Sequence, residues 1–385
     1  MRRIVGAAIA IAGTVGFWGL ANAADWTLRP KVTAGAEYDD NIRLSANNQE
    51  STSAGWVSGA LEFGRETEVR EAKGRIRLDF INYTNSKISD ESNQYFDFTA
   101  AQKGELNTLR LDAAARRDTT IVTDRVPTAP EDVDVALTTQ EVRRTRATIA
   151  PSWRHQLSER TDLGAAYSYL DTTYDKSGFV DYHSHQVDFD IGHDLSERDR
   201  VTAELGASEY RAPDASKKYD TLSLVAQYQR HLTQTFVGVL GLGARRTRFD
   251  LPGNNSGDDN GIVFRLRGEQ KGERTTWEGL MERSVFPSGS GDVVEADQLV
   301  LRVGHKLTPL MDVSMRARYL RKYAIVNADP NQDSRYVYLE PKLSWSFSRE
   351  VSLSASYRYR RKSNDAGSAS AESNAVYIAL TYAAL

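Results

Sequence analysis

His183 and His185 lie two positions apart, so an extended chain presents both on one face. Such a pair could begin a metal or general-base site. A metal centre needs a third and a fourth ligand at fixed geometry, and the sequence nominates none, so the pair reads as a polar strand end. His155, His193 and His305 share a position beside short turns and read as turn and interface residues. Two acidic stretches, Asp39-Asp40-Asn41 and Asn254-Asn255-Ser256-Gly257-Asp258-Asp259-Asn260, carry the carboxylate and amide oxygens that Ca²⁺ takes. The second lacks the closing Glu of an EF-hand, and solvated loops are the expectation for both. Serines are scattered through the loops without a nucleophile signature, and phosphate-loop, dinucleotide and zinc patterns are absent. No catalytic residue, metal or cofactor is therefore expected. The near-neutral net charge of −3 gives nucleic-acid binding no support.

The remaining charged set is large and regular. Arginines recur at alternate positions: Arg75 and Arg77, Arg110 and Arg116, Arg265 and Arg267, Arg302, Arg316 and Arg318, Arg358 and Arg360. Acids are interspersed as Asp79, Asp112, Asp188, Asp190, Glu204, Glu278, Glu282 and Glu340. Rings of such side chains could set the selectivity of a water-filled channel. They could equally pair across a lumen and stiffen its wall; both readings stand. The third quarter of the chain looks acidic and the last quarter basic, and a basic wall would favour anionic solutes.

The elements that must carry these residues are strands. Val351, Leu353, Ala355, Tyr357 and Tyr359 alternate with Ser352, Ser354, Ser356, Arg358 and Arg360, a period of two. Ile262, Phe264 and Leu266 likewise flank Arg265 and Arg267, and Val313, Met315, Ala317 and Tyr319 flank Arg316 and Arg318. An arginine facing lipid near the midplane costs about 2–4 kcal/mol, so the charged face is assigned to the interior and the apolar face to lipid. Short turns alternate with long polar loops along the chain, as in outer-membrane barrels. The short turns echo one another: His155-Gln156-Leu157-Ser158-Glu159-Arg160 recurs as His193-Asp194-Leu195-Ser196-Glu197-Arg198, each with a hydroxyl able to satisfy backbone groups locally. Aromatics near strand ends imply two interfacial girdles: Trp153, Phe236, Trp277, Trp345 and Phe347 beside short turns, and Trp56, Tyr169, Tyr319 and Tyr359 towards the long loops. The fold class expected is all-β, a single antiparallel transmembrane β-barrel of about eighteen strands, with the long loop from Asp118 to Thr138 the candidate to fold inward.

The first residues address the chain. Arg2 and Arg3 precede an apolar run from Ile4 to Leu20, and Ala21-Asn22-Ala23 supplies the small-x-small cleavage pattern. Residues 1–23 are read as a signal peptide and 24–385 as the barrel. Cysteine is absent, which excludes a lipoprotein, a disulfide scaffold and thiolate metal sites. The expected location is the outer membrane of a Gram-negative bacterium, with lipid, lipopolysaccharide and the barrel assembly machinery as partners. The chain ends Tyr382-Ala383-Ala384-Leu385, without the terminal aromatic that such machinery commonly recognises.

The segment Tyr38-Asp39-Asp40-Asn41-Ile42-Arg43-Leu44, closing the first strand, resembles the opening of proteins of the beta-barrel porin 2 family. The resemblance implies an outer-membrane conduit for exopolysaccharide, working with a periplasmic polysaccharide export protein and its inner-membrane co-polymerase. The lumen alone supports a different reading, a passive porin for small hydrophilic solutes. A structural or adhesive barrel acting through its loops is the third, and an enzyme is not expected.

Overall fold

The computed structural model describes residues 26–120, 141–175, 179–253, 255–326, 333–364 and 370–384. The expected signal peptide, with Ala21 and Ala23, and most of the loop from Asp118 to Thr138 lie outside the described residues. Eighteen strands follow one another: β1 (Thr27–Asp39), β2 (Thr52–Glu66), β3 (Arg70–Tyr83), β4 (Glu91–Lys103), β5 (Asn107–Thr119) and β6 (Arg143–Ser158). Next come β7 (Thr161–Tyr174), β8 (Tyr182–Asp194), β9 (Asp199–Ala212), β10 (Lys217–His231), β11 (Phe236–Leu251) and β12 (Asn255–Lys271). The ring is completed by β13 (Thr275–Pro287), β14 (Val293–Thr308), β15 (Met311–Ala324), β16 (Ser334–Ser346), β17 (Val351–Asn364) and β18 (Ser370–Ala383). Each strand pairs antiparallel with its sequence neighbours, and β1 pairs with β18 to close the barrel.

The pleat sorts side chains as the charge argument requires. On β18, Val376, Ile378, Leu380 and Tyr382 are all about half exposed, while Ala375 and Ala379, on the other face, are buried. The most exposed large apolar residues, among them Ile262 (63%) and Leu224 (61%), form the outside of the barrel. A water-soluble sheet would bury that face; here it is the solvent-excluded surface only if lipid covers it. Directly opposed residues of an antiparallel pair share a face, so the register carries this assignment from strand to strand.

Short turns are built by their hydroxyls. Ser196 Oγ accepts from the backbone N–H groups of Arg198 and Asp199 (3.1 Å each), and Ser348 Oγ from those of Glu350 (3.2 Å) and Val351 (3.1 Å). Thr233 does the same for Thr235 and Phe236. The turn histidines lie on the outer face: His193 Nδ1 shares a hydrogen bond with Thr161 Oγ1 (2.9 Å), and His305 Nδ1 one with Thr275 Oγ1 (2.8 Å).

Two expectations fail. The acidic stretch from Asp250 to Asn260 reads as a loop, yet β11 and β12 stay paired out to Leu251↔Asn255. Its carboxylates are taken by guanidinium groups across the hairpin, Asp258 by Arg246 (2.8 Å) and Asp259 by Arg245 (2.7 Å), which holds a composition poor in β-formers in the ladder. Trp56 does not belong to a lipid girdle. It faces inward and stacks on Tyr377, with ring centroids 5.3 Å apart.

Placing a charge on the outer face tests this orientation. Leu224→Arg, at mid-strand, is expected to weaken folding into lipid vesicles by about 2–4 kcal/mol in a urea titration, whereas Gln227→Arg on the inner face should cost far less.

Candidate functional site: the lumen and its mouth

The register turns every arginine of the alternating set inward, together with the acids between them. Arg75, Arg77, Arg116, Arg302, Arg316, Arg358 and Glu340 line one cavity of about 980 Å³ in the lumen. Arg110, Arg265 and Arg267 face inward elsewhere on the wall. Each is occupied: Arg110 by Asp112 (2.6 Å), Arg265 by Glu282 (3.4 Å), and Arg267 by Glu269 (3.2 Å) and Glu278 (3.5 Å). Arg77 contacts Asp79 (3.3 Å) and lies 3.9 Å from the centroid of the Tyr95 ring; Arg302 reaches Glu278 at 3.0 Å.

Four cations on the cavity wall differ. Lys31 on β1, Arg316 on β15, Lys342 on β16 and Arg358 on β17 all line it, and among the described residues none has a carboxylate within ion-pair distance. They form a nearly continuous arc of the ring, since β17, β18 and β1 are neighbours. Glu37 and Glu340 share the arc, and the Glu340 carboxylate accepts from the Tyr338 hydroxyl, so cations remain in excess. Asp188, Asp190 and Glu204 face inward from β8 and β9, Asp190 directly opposite Glu204 and Asp188 opposite Gly206. That is half the ring away from β17 and β18. Asp190 is partnered by Arg154 (3.1 Å), while Asp188 and Glu204 accept only from amides, those of Gln186 and Gln227. Lys31 and Lys342 escaped the sequence reading, which followed arginines at alternate positions. Only the closure of β1 onto β18 brings Lys31 to this arc.

The long-loop end is built differently, by segments that leave the wall. The β12–β13 ladder stops at Phe264↔Arg283, although β12 continues back to Asn255 and β13 on to Pro287. The β13–β14 hairpin thus departs from β12 and crosses the mouth. At its tip, Ser288 O accepts from Tyr210 Oη (3.1 Å), and Asp292 Oδ1 accepts from Lys217 Nζ (2.7 Å) and Tyr219 Oη (2.8 Å). Gly289 comes so near Tyr174 that an added Cβ would lie 2.3 Å from its hydroxyl. Consecutive valines pack on opposite sides of the hairpin. Val293 joins Tyr174, Tyr182, Tyr210 and Tyr219, whereas Val294 joins Leu320, Tyr336 and Tyr338. Arg245 ties the hairpin to the wall by bonding both Asp259 of β12 and Glu295 of β14. Its guanidinium passes over Gly261, where an added Cβ would lie 2.7 Å from it.

The first loop enters from the other side. Arg360 is fully buried, and its Nη2 donates to Asp39 Oδ2 (2.8 Å), to Ser373 Oγ (2.8 Å), and to the carbonyl oxygens of Asn41 and Ile42 (3.2 Å each). Asn41 Nδ2 donates to the carbonyl oxygens of Ser45 (2.8 Å) and Glu372 (2.9 Å), while Asn374 bonds Asp40. Leu44 is thereby held in the same cluster as Val294, and Ile42 packs with Tyr83 and Ile88. Tyr38 stays on the outside. The opening motif is thus an anchor for an inward loop and offers no cation site. Arg318, Arg358 and Arg360, expected on open lumen wall, are buried instead, Arg318 donating to Gln298 Oε1 (3.1 Å). His183 and His185 face outward, His185 sharing a hydrogen bond with Tyr167 Oη (2.8 Å). Among the described residues no group of three or more His, Cys, Asp or Glu could hold a metal.

The closed ladder, the apolar exterior and the charged interior settle the class. The chain is an integral outer-membrane β-barrel. No family model matches it, and no curated protein is a match. Similar solved structures include Pseudomonas aeruginosa OpdL, with 11% identity over 94% of this chain and 99% of that one and a TM-score of 0.46. Acinetobacter baumannii OccAB2 has 12% identity, 94% and 98% coverage and a TM-score of 0.49. Pseudomonas aeruginosa OccK2 (OpdF), solved in complex with glucuronate, has 11%, 93% and 96%, and 0.46. These likenesses concern the fold alone.

Removing one partner of a buried ion pair costs about 3–5 kcal/mol. Asp39→Asn should therefore lower the temperature at which the barrel loses its folded mobility on an unheated gel, and Asp40→Asn, whose partner is the exposed Asn374 amide, should leave it nearly unchanged.

Proposed function

We propose that this barrel is a passive diffusion channel for small hydrophilic solutes, with a preference for anions. The observation that carries the reading is the arc of Lys31, Arg316 and Lys342 on the cavity wall, backed by the buried Arg358, with no carboxylate of the described residues within 4.0 Å of any of them. Elsewhere on the inner wall most arginines pair with acids and brace the wall, while Asp188 and Glu204, half the ring away, bond amides. On the arc the charge is left for a solute. Unpaired cations in a narrow low-dielectric passage raise the local anion concentration without binding it tightly, which is what throughput requires.

Size supports the same reading. The β13–β14 hairpin and the first loop occupy part of the mouth, so the lumen is narrower than eighteen strands would leave it. A channel of this kind suits small solutes better than a threading polymer. The exopolysaccharide conduit, with its periplasmic export partner, rests on the opening motif alone, and that motif is engaged in holding the first loop.

In planar bilayers under a salt gradient, the reversal potential should report anion selectivity. Lys31→Gln, Arg316→Gln and Lys342→Gln combined should move the permeability ratio towards unity or past it; an unchanged ratio would remove the arc from the mechanism. In cells, loss of the protein should slow uptake of a small anion and leave surface polysaccharide intact. The reverse pattern would assign it to export.

A further inference from the structure

One buried guanidinium in the lumen has no partner. Arg358 is 4% exposed, lines the cavity, and makes no hydrogen bond or ion pair with any described residue. Its Nε and Nη1 are enclosed without an acceptor. A buried charge left with free donors is costly, and an orphan of this kind marks a place for an acceptor that comes from solution.

The inner face around Arg358 forms one row. Arg316 of β15 is directly opposite Glu340 of β16. On the other side of Glu340, the pairs Leu339↔Tyr359 and Lys342↔Ser356 bracket the position and place Arg358 of β17 beside it. The ladder is interrupted there next to Pro341, which has no N–H to donate. Neighbouring strands are about 4.8 Å apart, so these three side chains start within about 10 Å of one another. Lys342 is the next inward residue of β16, opposite Ser314 and Ser356, and Ser356 Oγ is also buried without a partner.

The charges of this group do not cancel. Glu340 has an arginine on either side and pairs with neither; its carboxylate accepts only from Tyr338 Oη. That hydroxyl lies within electrostatic reach of Arg316 and Arg358 as well as Glu340. The other acids nearby are committed or distant. Glu278 holds Arg302 (3.0 Å), the neighbour of Arg316 in register. Asp39, two strands beyond Arg358, is taken by Arg360 (2.8 Å). Glu37 stands three strands from Lys342. Three cations, Arg316, Lys342 and Arg358, thus surround one carboxylate, and among the described residues none of the four is ion-paired.

A carboxylate inside an anion site acts as a filter. It repels an anion that offers only acceptors, and it takes a hydrogen bond from one that carries a proton. Sulfate offers only acceptors. So does a phosphate monoester above its second pKa of about 6. Inorganic hydrogen phosphate has several acceptor oxygens and one P–OH donor.

We infer that Arg316, Glu340, Lys342 and Arg358 form a subsite for inorganic hydrogen phosphate on the path that the barrel offers to anions. The inference rests on the anion-channel reading and makes it more specific. The phosphate oxygens take the guanidinium groups of Arg316 and Arg358 and the ammonium of Lys342. The P–OH donates to the Glu340 oxygen that Tyr338 leaves free. An anion without that proton leaves the carboxylate facing an acceptor. Glu340 also offsets part of the positive charge, so the ion is held loosely enough to leave.

The test is block of chloride current through the full mature chain in planar bilayers at about pH 8. Inorganic phosphate, sulfate and glycerol phosphate are the probes. Phosphate should half-block wild-type channels at a concentration at least about tenfold below that of either other anion. Glu340→Gln should remove the repulsion, so that sulfate and glycerol phosphate block nearly as phosphate does. Arg358→Gln should raise the phosphate concentration required by about tenfold. The reversal potential in a KCl gradient separates this inference from the reading beneath it. Equal block by sulfate or glycerol phosphate in an anion-selective wild-type channel would overturn the phosphate assignment and leave the channel reading standing. Cation selectivity would overturn both. A phosphate preference that survives Glu340→Gln in a folded channel would overturn the placement of the site.

Discussion

A guanidinium on the lipid side of a barrel wall costs about 2–4 kcal/mol near the midplane, and fourteen of the eighteen strands carry at least one arginine. With a side-chain period of two, a slip of one residue in any strand would turn its arginines out and its leucines in. That penalty fixes the register of β12, β15 and β17, where Arg265, Arg267, Arg316, Arg318, Arg358 and Arg360 alternate with Ile262, Leu266, Met315, Tyr319 and Tyr357. The same constraint fills the interior with charge. It lapses only where the wall meets headgroups, which is where Arg211, Arg246 and Arg248 face outward.

Packing so many cations inside creates a second requirement, since buried charge must be partnered. The structure meets it in three ways. Acids on the same or the adjacent strand neutralise Arg110, Arg265, Arg267 and Arg302 along the wall. Arg360 and Arg245 turn their charge into architecture, one clamping the first loop through Asp39, the other bridging β12 to the β13–β14 hairpin through Asp259 and Glu295. Lys31, Arg316 and Lys342 are left facing the cavity, with Arg358 buried in the wall beside them. Function is read from that remainder, because a cation with a fixed partner braces and a cation without one attracts.

Much of this was legible in the sequence and some was not, for identifiable reasons. The strand count and the inward face follow from alternation and the cost of lipid-facing arginine. Hydroxyl-bearing turns were visible as the repeated Leu-Ser-Glu-Arg segment. The paired tip of β11 and β12 was hidden, because Asn, Asp and Gly there signal a loop while cross-strand ion pairs hold a ladder. The departure of β13–β14 from the wall leaves only a faint trace. Val293 and Val294 are adjacent apolar residues, which a wall strand would divide between lipid and lumen but which here are both buried in protein. Trp56 was misplaced because aromatic content near a strand end says nothing of which face it occupies. Its parity, shared with Ser58 and Ala60, was the better guide. The unpaired arc could not be read at all, since pairing depends on which strands become neighbours when β1 meets β18.

The central claim is that a wide ring is narrowed by protein segments held across its mouth, leaving a small basic passage. The most direct measurement is single-channel conductance after replacing residues 285–295 with a two-residue Asn-Gly hairpin turn, so that β13 and β14 end in the wall. The account predicts a stable barrel with conductance well above wild type and weaker discrimination by solute size. A folded variant with wild-type conductance would contradict it, and would place the narrowing elsewhere in the lumen.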